Sequence, residues 1–201
     1  TRSAGGEEVR MRRPPRIGGD DLVRMTQVAL YRDCRRAVPR FDWTIRAGEH
    51  WCITGPNGSG KSTLIALLYG DLWPALGGSI ERPALAPGLP VSEWKRAVGL
   101  VSPELQATYA ATACTLEEIV ISGLHASIGL NEAPGRGERA RARHALRAAG
   151  LLPLAQRRAR QVSYGQLRLA LLARALVEPR RLLLLDEPFD GLDPEVSARA
   201  R

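Results

Sequence analysis

The residue types with the clearest chemistry form one short loop. In chain order they are Gly55, Pro56, Asn57, Gly58, Ser59, Gly60, Lys61, Ser62 and Thr63. The order matches a phosphate-binding loop, in which a glycine and four other residues precede Gly-Lys-Ser. Gly55, Gly58 and Gly60 would allow positive φ and let backbone N–H groups approach phosphate oxygens. We expect Lys61 to reach the β- and γ-phosphates of a nucleotide and the Ser62 hydroxyl to bind Mg²⁺.

The residues on either side supply the elements that such a loop needs. Residues 51–54 have the apolar composition of a strand, and residues 64–68 suit a buried helix that begins at about Lys61. The positive end of that helix dipole would point at the same phosphate oxygens. A flexible glycine-rich turn needs neither element, so the context favours nucleotide binding.

A second polar group follows a run of leucines. Residues 181–185 read RLLLL, as expected of a central parallel strand that is covered on both sides. Asp186 and Glu187 come next, and the carboxyl ends of strands are where open α/β sheets bind ligands. One alternative is a solvated strand end with an acidic cap. Because the chain also carries a phosphate loop, we expect Asp186 to hold Mg²⁺ and Glu187 to orient and deprotonate an attacking water.

The other elements predict an α/β domain that follows a linker. Residues 1–20 lack hydrophobic periodicity and are predicted to be a disordered linker or tail. Thr115 and Glu118 have the spacing of a capping box at the start of a helix. The predicted strands cover residues 22–30, 41–45, 51–54, 79–81, 97–101 and 181–185, and the other predicted helices cover residues 138–149 and 167–177.

Composition and charge narrow the function classes. The 201 residues are 44% hydrophobic and 25% charged, which is ordinary for a globular domain. No apolar run approaches the roughly 18 residues that would span a bilayer, so we expect a cytoplasmic protein that a partner could hold at the inner face of the cell membrane. The net charge of +8 comes largely from arginines in the tail and in residues 136–160. Aromatic residues do not interleave with them as a stacking platform requires, which argues against nucleic-acid binding.

Three motifs give the sequence a resemblance to the nucleotide-binding domains of ATP-binding cassette (ABC) proteins. They are GPNGSGKST, then VSYGQ at residues 162–166, then LLLLDEP at residues 182–188. The resemblance covers nearly the whole length and implies a P-loop NTPase of the ABC type at residues 21–201. Such a fold has a mostly parallel core sheet, an antiparallel N-terminal subdomain and a helical subdomain, here at about residues 103–160. Its last strands would lie beyond Arg201.

The resemblance also implies a composite site in which two such domains hold ATP. Its signature motif consists here of Ser163, Tyr164, Gly165 and Gln166, and it would contact the ATP on a second domain's phosphate loop. Ser163 is a good helix N-cap and Gly165 permits close approach of the backbone, so this helix start can act as a second anion clamp. ATP and Mg²⁺ are the implied ligands.

Three further positions are compared with the family. Asp193 matches the loop that crosses the dimer seam. Tyr31 matches an aromatic residue that stacks on adenine, and a plain core aromatic is the alternative. The family's switch histidine would lie beyond Arg201, and none of the chain's own histidines fits that role.

The sequence departs from the family at two positions. Tyr164 stands where the signature motif usually has glycine. Pro103 stands where the family places a glutamine that senses Mg²⁺ and the γ-phosphate. Either Glu104 or Gln106 could take over that metal contact, and the sequence does not choose between them.

The resemblance implies an ATP-binding subunit of an ABC transporter, which hydrolyses ATP with a second ABC domain and drives a membrane permease. GEHWCITGPNGSGKSTL and VSYGQLRLALLARALV further resemble the tandem ABC proteins of molybdenum transport, so the cargo would be molybdate or a related substrate. One alternative is a soluble ABC ATPase that acts on ribosomes, nucleic acid or another protein. A non-hydrolysing nucleotide-binding module is a second alternative, which Pro103 and the missing histidine favour.

Overall fold

The computed structural model describes the backbone of residues 10–12, 20–32, 35–86 and 88–191. Side chains are described for residues 20–29, 40–86 and 88–191. The chain divides into two compact units, Thr1–Trp94 and Lys95–Arg201.

The first unit contains two antiparallel sheets. Strands β2 (Asp21–Arg32), β3 (Arg35–Arg46) and β5 (Ser79–Glu81) form one sheet with β2 in the middle. Strands β1 (Arg10–Arg12) and β4 (Cys52–Thr54) pair in the other. The sequence predicts a linker at the position of β1, whereas the structure pairs it with β4.

Helix α1 (Lys61–Tyr69) follows the phosphate loop and supplies most of the buried residues beside these strands. Leu64, Leu67 and Leu68 are buried, as leucines at this spacing on one helix face should be. Trp94, in α2 (Val91–Ala97), is fully buried and donates its indole N–H to the Leu68 carbonyl at 2.9 Å. The core of this unit thus holds α1 in place along its buried face and near its C-terminus.

In its described residues, the second unit combines a parallel strand pair with four helices. Strands β6 (Val98–Val101) and β7 (Leu182–Leu185) pair in parallel, with Val101 opposite Leu185. The helices are α3 (Pro103–Ala110), α4 (Leu116–His125), α5 (Arg136–Ala148) and α6 (Tyr164–Ala175), with short 3₁₀ turns at Leu152–Leu154 and Ala159–Gln161. Because the strands are parallel, the residues after β6 and after β7 lie at the same edge.

Helices α4 and α6 approach closely in the core of the second unit. A Cβ built on Gly123 of α4 would collide with the Arg174 carbonyl oxygen of α6, so glycine permits this contact. The Arg174 side chain is itself buried and donates from Nε to the Tyr109 and Ser122 hydroxyls, both at 3.3 Å. This polar network joins α3, α4 and α6, and it satisfies a buried cation with neutral acceptors.

Several predicted elements are confirmed and others are corrected. The capping box of Thr115 and Glu118 is present at the start of α4. Helices α2 and α3 are absent from the sequence-based prediction. The expectation that β7 is covered on both sides is wrong for the described residues, since Leu183 is 42% and Leu185 is 41% exposed. Within that part of the chain, β6 is the neighbour of β7, and one face of the strand meets solvent.

None of the helices in the described ranges is long and apolar enough to cross a membrane.

Substitution of Gly123 by alanine should lower the free energy of unfolding by about 1–3 kcal/mol, because the new methyl group would overpack the α4–α6 contact. Gly137 in α5 is a matched control, since a Cβ there meets nothing within 4 Å. Gly137→Ala should leave stability unchanged or raise it by up to about 1 kcal/mol. Denaturant unfolding followed by far-UV circular dichroism measures both variants. Equal effects of the two substitutions would contradict the close packing at Gly123.

Candidate functional site

The phosphate loop takes its shape from two glycines in the left-handed region. Gly58 has φ 83° and Gly60 has φ 98°, where a side chain would be strained. The prediction of a positive φ at Gly55 is wrong, so the flexibility of that glycine is not used for the turn. Gly60 is the N-cap of α1, and within the described residues no side chain caps this helix. The first N–H groups of α1 therefore have no intrahelical acceptor and suit an anion.

Lys61 closes over the loop from its own helix. Its ammonium group donates to the Gly55 and Pro56 carbonyls, both at 2.9 Å. This arrangement keeps a positive charge at the mouth of the turn, where the phosphates of a nucleotide would meet it. Ser62 is exposed, and the Ser59 hydroxyl is buried with no partner in the described ranges.

Asp186 is buried at the carboxyl end of β7. Its backbone N–H donates to the Val101 carbonyl at 2.9 Å and extends the parallel pairing by one residue. The residue is 6% exposed, and its Oδ2 atom has no hydrogen-bond partner among the described residues. A desolvated carboxylate oxygen without a partner is costly, and such groups in native proteins commonly serve a ligand.

Glu187 follows in a strained backbone conformation. Its φ is 49°, which is rare for a residue with a side chain and costs of order 1–3 kcal/mol. The Glu187 carbonyl accepts from the Asp190 N–H at 3.1 Å, and this bond closes a turn. The Glu187 side chain is exposed.

The structure separates the two candidates for the second metal contact. Glu104 lies in the first turn of α3 and is exposed. Gln106 is 2% exposed and donates from Nε2 to the Tyr164 carbonyl at 3.0 Å. Only the amide nitrogen can donate, so this bond fixes the amide orientation and leaves Oε1 buried without a partner in the described part of the chain. Gln106 therefore offers a spare oxygen in α3, the helix that follows β6.

The signature motif forms the start of α6. Ser163 is the N-cap, and its hydroxyl accepts from the Gln166 N–H at 3.2 Å. Gln166 returns the bond, because its Oε1 accepts from the Ser163 N–H at 2.9 Å. The helix thus begins three residues earlier than the predicted 167–177, since the capping box recruits Tyr164 and Gly165 into its first turn.

Tyr164 lies between α6 and the loop after β7. It is 51% exposed, and its hydroxyl accepts from Arg168 Nη2 at 3.0 Å. A Cβ on Gly191 would lie 2.5 Å from Cδ1 of the tyrosine ring, so the backbone at Gly191 packs directly on that ring. Arg168 is completely buried and was not a predicted site residue, because no motif marks it.

The remaining predicted site residues are Asn57, Thr63, Asp193 and Tyr31. Asn57 lies in the loop and is exposed, whereas Thr63 lies in the first turn of α1 and is half-buried. Asp193 lies outside the described residues, and so does the Tyr31 side chain. The phosphate loop belongs to the unit Thr1–Trp94, whereas the signature motif and the acidic pair belong to Lys95–Arg201.

Sequence comparison relates most of this chain to one family. The profile of the family described as ABC transporter matches residues 38–190. The ABC transporter ATP-binding protein ModF of Escherichia coli (strain K12) is 36% identical over 86% of this chain and 36% of its own length. YlmA of Bacillus subtilis (strain 168), an uncharacterised ABC transporter ATP-binding protein, is 35% identical over 86% of this chain and 65% of its own. The chain thus spans less than two thirds of these relatives.

Solved structures agree on the fold. A dimeric ATP-binding cassette in a post-hydrolysis state, bound to ADP and Pi, superposes with a TM-score of 0.69 at 23% identity, over 88% of this chain and 78% of that one. CbiO1 from Clostridium perfringens, part of an ABC transporter complex, gives a TM-score of 0.65 at 24% identity, over 90% of this chain and 71% of that one.

Replacement of Asp186 by asparagine should raise the free energy of unfolding of the ligand-free protein by about 1 kcal/mol, because it removes the charge of a buried carboxylate whose Oδ2 has no partner among the described residues. Asp190, which is exposed, provides the control, and Asp190→Asn should change stability by less than about 0.5 kcal/mol. Thermal and denaturant unfolding without nucleotide measure both. A clear loss of stability in Asp186→Asn would mean that the carboxylate has a structural role.

Proposed function

This chain belongs to the ABC transporter family, and on that premise we propose that it binds and hydrolyses ATP as the ATP-binding part of a transport system. The observation that carries the proposal is the phosphate loop. Gly58 and Gly60 turn the backbone, Gly60 leaves the start of α1 uncapped, and Lys61 reaches across the turn. Backbone donors, a helix N-terminus and an ammonium group together suit the triphosphate of a nucleotide.

A divalent cation fits the oxygens that the second unit leaves unpartnered. Asp186 Oδ2 and Gln106 Oε1 are both buried and both lack a partner among the described residues. Carboxylate and amide oxygens are the ligands that Mg²⁺ takes in proteins. We therefore assign Asp186 and Gln106 as Mg²⁺ contacts and set Glu104 aside, because its side chain is exposed. The contact of the Ser62 hydroxyl with Mg²⁺ rests on the loop motif alone, and bound Mg²⁺ would neutralise charge that develops on the phosphates.

Glu187 is proposed as the general base. The oxygen of a water forms a bond to the γ-phosphorus, and the bond from that phosphorus to the oxygen bridging to the β-phosphate breaks. ADP leaves with that oxygen and the electron pair, and the Glu187 carboxylate takes a proton from the water. The exposed side chain of Glu187 is consistent with this role.

The start of α6 is proposed to bind the ATP of a second cassette, on the same chain or in a dimer. Ser163 and Gly165 lie in the first turn of that helix, where N–H groups and the helix dipole favour an anion. An ATP bound by the phosphate loop of one cassette and the α6 start of the other would favour the closed arrangement of the two cassettes. Loss of the γ-phosphate would allow the two cassettes to separate. Tyr31 on the adenine and Asp193 at the seam are proposals that rest on the family alone.

A membrane permease is the proposed partner, which would hold the chain at the cytoplasmic face of the membrane. The relative TroB of Treponema pallidum (strain Nichols), 37% identical over 76% of this chain and 55% of its own length, carries the name zinc transport system ATP-binding protein. That name and the molybdenum-transport resemblance support an inorganic ion as cargo. The competing proposal is a soluble ABC ATPase that acts on ribosomes, nucleic acid or another protein.

Lys61→Ala should weaken ATP binding by about tenfold to a hundredfold, because a charged hydrogen-bond donor of this kind contributes about 1.5–3 kcal/mol. Lys95→Ala is the matched control outside the loop, and it should bind as the wild type does. Titration calorimetry of the intact protein with ATP measures the affinity. An unchanged affinity in Lys61→Ala would exclude the loop as the phosphate site.

Glu187→Gln should retain ATP binding and lower kcat by about 10²- to 10⁴-fold, the usual contribution of a general base. Glu132→Gln changes an exposed carboxylate in the same way and should keep full turnover. Phosphate release by the intact protein measures both. Turnover at the wild-type rate in Glu187→Gln would end the assignment of the base.

The Glu187→Gln variant also distinguishes the two partner roles. With Mg²⁺ and ATP, a variant that binds but does not turn over should stay closed on its partners. Affinity capture from gently solubilised cells should then recover an integral membrane permease. Recovery of ribosomes or nucleic acid without a permease would favour the soluble role.

A further inference from the structure

Tyr164 makes three contacts in the second unit, one within its own helix α6 and two with other elements. Its carbonyl accepts from Gln106 of α3 at 3.0 Å, and its hydroxyl accepts from Arg168 Nη2 at 3.0 Å. Its ring packs against the backbone of Gly191, in the loop that follows β7. The residue at this position is therefore fixed from its backbone, its ring and its hydroxyl.

Arg168 holds the ring in its orientation. The guanidinium carbon lies 5.6 Å from the centroid of the Tyr164 ring, and the whole arginine is buried. Two of its nitrogens, Nε and Nη1, have no hydrogen-bond partner among the described residues, whereas Nη2 donates to the tyrosine hydroxyl. A buried cation with few acceptors strongly favours the contacts that it has.

Gly191 leaves room for the Tyr164 ring because it has no side chain. A Cβ at this position would lie 2.5 Å from Cδ1 and 2.6 Å from Cε1 of Tyr164, well inside van der Waals contact. The residue also has φ +70°, a conformation that glycine adopts readily. The flat ring therefore rests on bare backbone, and any side chain at Gly191 would displace it.

The loop under the ring carries a strained residue. Glu187 has φ 49°, and the turn that it begins is closed by the Asp190 N–H at 3.1 Å. The upstream end of the loop is fixed, because the Asp186 N–H is bound to the Val101 carbonyl. Strained conformations persist only when the surrounding contacts hold them. The ring of Tyr164 is the contact at the downstream end.

We propose that Tyr164 is a positioning residue, held by Arg168, whose ring keeps residues 187–191 in the conformation that presents Glu187 for hydrolysis. This rests on the proposed function of Glu187 as the base. Tyr164 is also the first residue of α6, beside the N-cap Ser163. An ATP bound at that helix start would act on the Glu187 loop through the ring, a connection that a glycine at this position could not make.

The test combines Tyr164→Ala, Gly191→Ala and the double variant, made in the intact protein. Gly150→Ala is the control for Gly191→Ala, because Gly150 has φ +71° and a Cβ there meets nothing within 4 Å. It reproduces the backbone strain without the ring contact. Hydrogen exchange of residues 185–191 is measured without nucleotide, and kcat and KM for ATP are measured separately. Tyr164→Phe, which keeps the ring, guards against misfolding.

In Tyr164→Ala, exchange of residues 185–191 should rise by about tenfold while exchange in α4 and α5 stays unchanged. The kcat should fall by about tenfold, and KM should change by less than about threefold, because the ring contact orients the base, whereas ATP binding at this helix start is assigned to Ser163 and Gly165. Gly191→Ala should lower kcat and raise the exchange of residues 185–191 more than Gly150→Ala does. The double variant should recover part of that loss, because Tyr164→Ala removes the ring that the new methyl group meets. The exchange of residues 185–191 and the kcat of Tyr164→Phe should lie between the values of the wild type and those of Tyr164→Ala.

Unchanged exchange in Tyr164→Ala would overturn the proposal, whatever the activity. Raised exchange with an unchanged kcat would overturn the positioning role as well, because the contact would then be structural only. If Gly191→Ala changed exchange and kcat equally in the wild type and in Tyr164→Ala, the effect would come from backbone strain and the ring contact would not matter, which would contradict the proposal. A wild type that binds ATP without hydrolysing it would reject the proposed function instead, and exchange would still decide whether the ring holds the loop.

Discussion

The left-handed backbone at Gly58 and Gly60 is the constraint on which the rest of the structure depends. These two residues turn the chain so that it enters α1 without a capping side chain, and the N–H groups of the first helical turn are left for an anion. Lys61 bridges the Gly55 and Pro56 carbonyls and keeps its charge at the same place. The buried leucines of α1 and the indole of Trp94 hold the helix that presents this turn.

The second unit places polar atoms where packing alone would not. Asp186 Oδ2, Gln106 Oε1 and two nitrogens of Arg168 are buried without partners in the described ranges, and Glu187 has a strained backbone. Each of these features lowers stability, and Asp186, Gln106 and Glu187 are residues that the proposed reaction uses. The apolar core of α4, α5 and α6 is the part of the unit that offsets them. Function here is associated with local departures from the most stable arrangement, as expected for a preorganised site.

Elements that carry a motif could be predicted from the sequence, because the spacing of the motif fixes a strand, a turn and a helix start. The capping box at Thr115 was likewise predicted from local chemistry. At Ser163 the N-cap was predicted, but the bond returned by Gln166, which starts the helix at Tyr164, was not. Helices α2 and α3 were missed because they have only 7 and 8 residues, too few for a clear apolar period. For α3 a signal exists, since Ser102 caps it and Pro103 occupies its first turn. The burial of Gln106 and the contact of Arg168 with Tyr164 depend on tertiary packing, which no local pattern reports.

The most direct test of the account is a structure of the intact protein with Mg²⁺ and a non-hydrolysable ATP analogue. The account predicts that the triphosphate lies against the N–H groups of residues 58–62. It also predicts that the Lys61 ammonium leaves the Gly55 and Pro56 carbonyls and binds the β- and γ-phosphates. A triphosphate bound elsewhere, with Lys61 still on those two carbonyls, would contradict it.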